Sequence, residues 1–180
     1  MTDDAWWYLM RSAGLTAWVL LTLTLLWGAL VTGRIAATTA ARRWLIDLHP
    51  FLAALGLGAL AIHVVAAVAD SQSQLTWLAT VVPFHAGWNA TAIAWGVLGL
   101  WLLVVVEVTS LARRRLGRRT WHRVHLASYG ACWVIALHAA FAGTDLATPV
   151  IAWLGLGLVA AATGVTVTRA LPRISNVNTR

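Results

Sequence analysis

Four histidines in two long apolar stretches are the side chains of this chain best suited to chemistry. His49 and His63 lie fourteen residues apart in LIDLHPFLAALGLGALAIHVV, and His125 and His138 lie thirteen apart in WHRVHLASYGACWVIALHAAF. A single histidine on an apolar helix more often forms a packing hydrogen bond than a metal bond. Two pairs with closely matched spacing favour ligation, because neutral imidazole is a common metal ligand and an ionisable group inside a membrane span is costly.

The composition indicates an integral membrane protein. Of the 180 residues, 60% are hydrophobic and only 11% are charged, whereas a typical soluble domain carries about 25% charged residues. Five apolar stretches reach the length of about 20 residues that a spanning helix needs, at about 13–33, 46–69, 90–111, 122–142 and 149–170. Lipid excludes irregular backbone, so we expect an all-α helical bundle. Residues 1–180 would form one transmembrane domain with its core at 46–142.

The basic residues predict the orientation of the bundle. All thirteen are arginines, and if five spans alternate, only Arg11 lies on one side of the membrane. The other twelve lie on the opposite side, at positions 34, 42, 43, 113, 114, 115, 118, 119, 123, 169, 173 and 180. The positive-inside rule then places the N-terminus outside and the C-terminus in the cytoplasm, in a plasma or inner membrane. No separate basic domain stands out, so no nucleic acid partner is expected.

Two further features bound the interpretation. The positive charges of the first span mostly follow the apolar run, which argues against a cleaved signal peptide. The single cysteine, Cys132, excludes an intramolecular disulfide and a multi-cysteine metal centre.

The outer loop, residues 70–89, contains an apolar piece that is too short to span, and we expect Trp77 and Trp88 to anchor it at the interface.

The predicted topology brings the histidines to two shared depths. The second and fourth spans run in the same direction, and His49 and His125 each lie near the start of their span. At about 1.5 Å per residue, His63 lies about 21 Å beyond His49. His138 lies about 19.5 Å beyond His125. Each depth therefore offers two imidazoles from facing helices, which suits the two axial positions of one haem iron in a helical bundle.

Helical periodicity supports one of the two spacings better than the other. Fourteen residues bring His63 within about 40° of the direction of His49. Thirteen residues leave His138 roughly 140° away from His125 on a straight helix. Helix bending, overwinding or haems at different azimuths would have to absorb that difference.

Several other residues each have two candidate roles. His122 is an alternative ligand at the depth of His49, or it faces headgroups or a haem propionate. His85 is simply exposed in the outer loop, or it contacts an outer substrate, quinone or metal. Glu107 extends its carboxylate towards the arginines, or it serves a proton or cofactor role.

The basic loop and the glycines are open to two readings as well. The segment RRRLGRRTWHR attracts anionic lipid headgroups or docks a soluble electron donor. Arg43, Trp121 and Arg123 hold haem propionates, or the arginines simply reflect topology. Gly56 and Gly58 leave room for a flat macrocycle or allow close helix packing.

The stretches LHPFLAALGLGALAIHVV and TWHRVHLASY, with the later Leu137-His138, resemble the two bis-histidine helices of the ferric reductase-like transmembrane domain family. That family includes the membrane haem subunit of the periplasmic methionine sulfoxide reductase system and the membrane part of NADPH oxidases. The resemblance covers roughly 46–142. It implies two haem b groups, with the iron of the inner haem on His49 and His125 and the iron of the outer haem on His63 and His138. Two features depart from the family, which usually has six spans and often has Arg where Pro50 stands.

The histidine pattern and the resemblance predict a membrane b-type cytochrome that moves electrons from the cytoplasmic side to an acceptor on the outer side. The sequence contains no GxGxxG after a strand, so a separate cytoplasmic flavin reductase or quinol is expected as the donor. The acceptor would be an outer-side reductase, ferric iron or oxygen. Two alternatives stay open: a haem-binding membrane anchor of a reductase without through-membrane transfer, and a non-haem metal or proton transporter that uses the histidines as a relay.

Overall fold

A computed structural model describes residues 3–32, 39–144 and 147–170. These residues form seven helices: α1 (Asp3–Thr32), α2 (Thr39–Ala69), α3 (Trp77–Val81), α4 (Ala90–Leu111), α5 (Arg118–His125), α6 (Ala127–Ala142) and α7 (Pro149–Ala170). Arg34, Asp145, Arg173 and Arg180 lie outside the described residues.

Five stretches of the described chain are long and apolar enough to cross a membrane. They are Asp4–Val31, Trp44–Ala69, Ala90–Leu111, Arg118–Ala142 and Pro149–Arg169. The all-helical architecture and the number of spans agree with the sequence prediction. The first span differs, because its helix begins at Asp3, ten residues before the predicted start. The polar residues of the first turns therefore continue the helix rather than precede it.

The fourth span is not the single straight helix that the sequence predicts. It consists of α5 and α6, which meet at Leu126. The Leu126 N–H donates to the carbonyls of His122 and Val124, and the Tyr129 N–H donates to the Leu126 carbonyl three residues back, at 3.2 Å. A bond across three residues belongs to a tighter turn than the α-helix has, and it adds rotation per residue.

The helices pack as two antiparallel hairpins. α1 packs closely against α2, and α4 packs against α6 and α5. Small residues line these contacts, including the buried Ala13, Ala66, Ala92 and Ala131, as is typical where helix backbones approach closely in membranes. α2 and α6 are not among the closely packed helix pairs, so the two hairpins leave space between the two histidine-bearing helices.

Large apolar side chains cover the outside of the described bundle. Phe51, Trp101, Phe141 and Trp153 are all exposed, the last to 72%. Contiguous exposed apolar surface marks a face that meets protein or membrane, and here it belongs to helices of spanning length. The surface therefore agrees with a multi-pass membrane protein.

Seven arginines lie at one end of the bundle. Six are exposed in the turn after α4 and in α5: Arg113, Arg114, Arg115, Arg118, Arg119 and Arg123. The seventh, Arg169 in the last turn of α7, donates a hydrogen bond to the carbonyl of Ala29 near the end of α1. We call this end of the bundle the arginine end. Arg11 lies near the start of α1, at the opposite end.

Candidate functional site

The structure brings the four histidines together as two pairs between α2 and the α5–α6 span. The ring centres of His49 and His125, the first pair, are 6.1 Å apart. The ring centres of His63 and His138, the second pair, are 6.3 Å apart. The first pair lies towards the arginine end and the second towards the opposite end. The two pairs therefore occupy two depths of the bundle.

The separation within each pair matches two imidazoles on one metal ion. A metal–imidazole bond is about 2.0 Å long and the bonded nitrogen lies roughly 1.1 Å from the ring centre, so one shared metal puts the two centres about 6.2 Å apart. The measured values are 6.1 Å and 6.3 Å. The ring separations are therefore of the size that a shared metal ion requires.

Hydrogen bonds fix which nitrogen of each ring remains for a metal. The Nδ1–H of His63 donates to the Met10 carbonyl at 2.8 Å, and that of His138 donates to the Ala92 carbonyl at 2.8 Å. The Nδ1–H of His49 donates to the Thr24 carbonyl at 3.1 Å. Because a carbonyl only accepts, Nδ1 carries the proton in these three rings and Nε2 keeps a free lone pair.

Glycines let these three rings lie against the neighbouring helix. A Cβ at Gly14 would come within 2.7 Å of the His63 ring, and one at Gly96 within 2.8 Å of the His138 ring. A Cβ at Gly28 would come within 2.9 Å of the His49 ring. Any side chain at these positions would therefore displace a histidine.

The glycine and the acceptor carbonyl belong to one repeated arrangement. In each case the accepting carbonyl lies four residues before the glycine: Met10 before Gly14, Thr24 before Gly28, and Ala92 before Gly96. In an α-helix that carbonyl also accepts from the N–H of the glycine, and its second lone pair is available for imidazole. We call this arrangement the glycine latch.

His125 has a different partner. Its Nδ1 lies 3.3 Å from the hydroxyl oxygen of Ser110, and that hydroxyl donates to the Val106 carbonyl at 2.7 Å. One face of the ring stacks on Trp121, with centres 5.0 Å apart and planes inclined by 26°. The indole Nε1 of Trp121 is buried and has no hydrogen-bond partner in the described part of the chain.

The sequence contains a signal for these contacts that its histidines alone do not reveal. Gly14 and Gly28 are fourteen residues apart on α1, and Gly96 and Ser110 are fourteen apart on α4. The His49–His63 spacing on α2 is also fourteen. Because α1 runs antiparallel to α2 and α4 antiparallel to α6, each small residue meets the histidine at its own depth. The two hairpins thus repeat one design.

The interruption at Leu126 lies between the two histidines that are thirteen residues apart. His125 is the last residue of α5 and His138 lies in α6, so the phase of one straight helix does not apply to them. One turn at about 120° per residue instead of about 100° adds roughly 60° of rotation, whereas thirteen α-helical residues fall about 140° short of whole turns. The junction therefore reduces the mismatch of phase and does not remove it.

A cavity of about 800 Å³ adjoins the second pair. Both His63 and His138 line it, together with mostly apolar residues from all five spans, such as Val97 and Leu156. The volume lies within the range of about 300–1,000 Å³ that is usual for cofactor and ligand sites. The space between the two hairpins is therefore large enough for a sizeable apolar group beside the second pair.

The remaining polar candidates lie around the first pair or far from both pairs. His122 is exposed and its ring inclines against Trp121 at 6.3 Å between centres, so His125 rather than His122 faces His49. Glu107 is half-buried and close enough to His49 to interact with it electrostatically. His85 is exposed in the outer loop.

Other residues singled out from the sequence have simpler positions. Arg123 is exposed, and the side chain of Arg43 lies outside the described part of the structure. A Cβ at Gly56 would meet Leu21 of α1 at 3.0 Å, so this glycine serves the packing of α1 on α2. Gly58 has nothing within 4 Å. Trp77 and Trp88 are both exposed.

The donor set at each depth limits the chemistry. Across residues 3–32, 39–144 and 147–170, no three His, Cys, Asp or Glu side chains gather into a metal site. A protein-only zinc site takes three or four protein ligands, whereas each depth here supplies two imidazoles. Two imidazoles suit a metal whose other ligands come from a bound macrocycle.

Comparison with family models, with curated proteins and with solved structures finds no significant match for this chain.

Proposed function

We propose that this protein is a membrane b-type cytochrome with two bis-histidine haems, which moves electrons from the cytoplasmic side to an acceptor on the outer side. The observation that carries the proposal is the pairing of the four histidines at 6.1 Å and 6.3 Å. Haem b supplies reversible one-electron chemistry at its iron.

The residues around the pairs fit such a group. In the three latched rings Nδ1 is held by a carbonyl and Nε2 keeps its lone pair, so these histidines would hold the iron of the group through Nε2. The cavity beside the second pair is apolar and of suitable volume. At the first pair, the buried indole N–H of Trp121 lacks a partner in the described chain and would be satisfied by a carboxylate of the bound group.

The protein would hold the two haems, orient their imidazole ligands and insulate the irons. The helix backbones fix the tautomer and direction of the imidazoles, and the bundle keeps water from the site. The two depths, about 21 Å apart along α2, would carry an electron in two stages rather than one. The haem at the first pair would lie nearer the surface at the arginine end, and the haem at the second pair nearer the opposite surface.

The charge bias supports the direction. The arginine end would face the cytoplasm by the positive-inside rule, which puts the first pair on the inner side and the second on the outer side. The exposed arginines of α5 would then attract anionic lipid or an acidic surface of a soluble donor. We expect a flavin reductase or quinol as donor and an outer-side reductase, ferric iron or oxygen as acceptor.

Haem quantitation with reduced-minus-oxidised spectra on the purified protein tests the function. We expect about two haems per chain, because there are two complete ligand pairs. His63→Ala and His138→Ala should each lower the content to one haem, and both should spare the same haem. His49→Ala and His125→Ala should each remove the other one.

His122→Ala is the matched control, since this histidine adjoins the site but faces away from His49. It should retain both haems. Protein made with ample haem that shows no haem spectrum would refute the proposal. One haem in the unmodified protein, with His49→Ala or His125→Ala unchanged, would favour a haem-binding anchor without through-membrane transfer.

A further inference from the structure

His125 is the paired histidine that is not held by a glycine latch. The hydroxyl of Ser110 takes the place of the latch at this ring. Ser110 stands on α4 fourteen residues after Gly96, where the repeated design would place a glycine. The carbonyl four residues before it is that of Val106, which corresponds to Ala92 at the Gly96 latch. The Val106 carbonyl does not accept from the imidazole. It accepts from the Ser110 hydroxyl at 2.7 Å and, at 3.1 Å, from the Thr109 hydroxyl, whose shorter bond goes to Val105.

The hydroxyl therefore stands between the ring and the backbone. Ser110 Oγ donates its one proton to Val106 and can accept with its lone pairs, so the Nδ1–H of His125 donates to Ser110 Oγ at 3.3 Å. This bond is longer than the 2.8 Å bonds of His63 and His138. It is also longer than the 3.1 Å bond of His49, so His125 has the longest Nδ1 hydrogen bond of the four paired histidines.

We propose that Ser110 is the positioning residue of the first pair and sets the reduction potential of its haem apart from that of the second. An acceptor at Nδ1 fixes the tautomer of a ligating histidine and makes the imidazole a stronger electron donor to its metal. The longer bond to a hydroxyl leaves His125 a weaker donor than the latched rings. Weaker donation favours the reduced iron. The inference rests on the proposed function.

Two substitutions at this position predict opposite effects. Ser110→Gly recreates the latch, so His125 reaches the Val106 carbonyl directly and the potential of the first haem falls. Ser110→Ala keeps a Cβ between the ring and the carbonyl but removes the acceptor, so the potential of that haem rises and its retention weakens roughly tenfold. Ser110→Thr keeps the hydroxyl and should restore the original potential.

A purely structural role for Ser110 predicts a different order. Alanine is favoured over glycine in a helix by about 1 kcal/mol, so helix stability alone would make Ser110→Ala the milder change. The second haem serves as an internal reference, since its ligands and latches do not involve Ser110. Thr166→Ala is the matched control, because the Thr166 hydroxyl in α7 makes the same kind of bond, to the Ala162 carbonyl four residues back at 2.7 Å, away from His125 and Val106.

Two measurements test the proposal. Redox titration of each variant resolves the two haems, and nitrogen-15 spectra of histidine-labelled, haem-free protein report the Nδ1 proton of His125, assigned with His125→Gln. We expect the reduction potential of the first haem to shift in opposite directions in Ser110→Gly and Ser110→Ala, while that of the second haem is unchanged. The His125 resonance should change in Ser110→Ala but not in Thr166→Ala.

Other outcomes overturn it. Equal potentials for the first haem in the Ala, Gly and original proteins would refute the role of Ser110, as would a His125 resonance that is indifferent to Ser110→Ala. If Ser110→Ala does not fold, the Gly and Thr variants decide through the direction of their shifts. Failure of the proposed function gives a different result. No variant would then contain haem, while the His125 nitrogen-15 resonance would still change in Ser110→Ala.

Discussion

The Nδ1 edge of an imidazole can approach a helix closely where that helix has a glycine in place of a side chain. Three of the four paired histidines in this protein use a glycine in this way, and the same helix supplies the carbonyl that holds the Nδ1 proton. Each latch therefore combines space for the ring with a hydrogen-bond acceptor within one helical turn. A ring that is held along this edge keeps its Nε2 lone pair free.

Gly96→Ala should remove the second haem while the first remains. The new Cβ would lie 2.8 Å from the His138 ring, and such overpacking costs about 1–3 kcal/mol or forces the ring away. Haem content and the thermal midpoint in detergent measure the effect. Gly164→Ala, at a helical glycine with nothing within 4 Å, is the control and should be neutral or slightly stabilising. Equal haem content in the two variants would argue against the latch.

At the scale of the helices, the junction of α5 and α6 sets the register of the two pairs. The sequence spacing of thirteen residues suits a straight helix poorly, and the interruption at Leu126 reduces the conflict by adding rotation between the two histidines. After the junction, α6 is regular through His138 to Ala142. The orientation of His138 therefore depends on the number of residues between Leu126 and His138.

Inserting one alanine after Val134 should abolish the second pair and spare the first. One added residue turns His138 by about 100°, away from Gly96 and His63, while α5 and His125 precede the insertion. Spectra should show one remaining haem, whose presence also reports that the bundle folds. An alanine inserted after Gly164 in α7 is the matched control and should leave two haems. Two haems after the first insertion would contradict the assigned register.

At the scale of the whole molecule, charge and apolar surface define an axis. Seven arginines with described side chains lie at the end nearest the first pair, and large apolar side chains cover the spans between the two ends. A bilayer would solvate that surface, and the arginines would favour the cytoplasmic side. The direction of electron flow in the proposed function depends on this orientation.

Cysteine labelling in intact cells tests the orientation. On a Cys132→Ser background, which removes the natural thiol, a cysteine in place of exposed Ser71 should react with a membrane-impermeant maleimide from outside. A cysteine in place of exposed Gly117, at the arginine end, should react only after lysis. The two positions control for each other. Labelling of position 117 from outside, with position 71 protected until lysis, would reverse both the topology and the proposed direction of electron flow.

The sequence by itself determined the class of fold, the number of spans and the four histidines that the structure brings together in pairs. Those properties follow from hydrophobic length, charge bias and the cost of placing imidazole among apolar residues, all of which are local. It also contained the spacing that relates Gly14 to Gly28 and Gly96 to Ser110, although the histidines alone gave no reason to look for it.

Only the tertiary structure decided how the rings are held. The meeting of Gly14 with His63, or of Ser110 with His125, depends on antiparallel packing between different helices, which no single stretch encodes. The break at Leu126 was equally out of reach, because a residue that interrupts a helix without glycine or proline carries no composition signal. The contacts across helices, rather than the periodicity along them, pair His125 with His49 and His138 with His63.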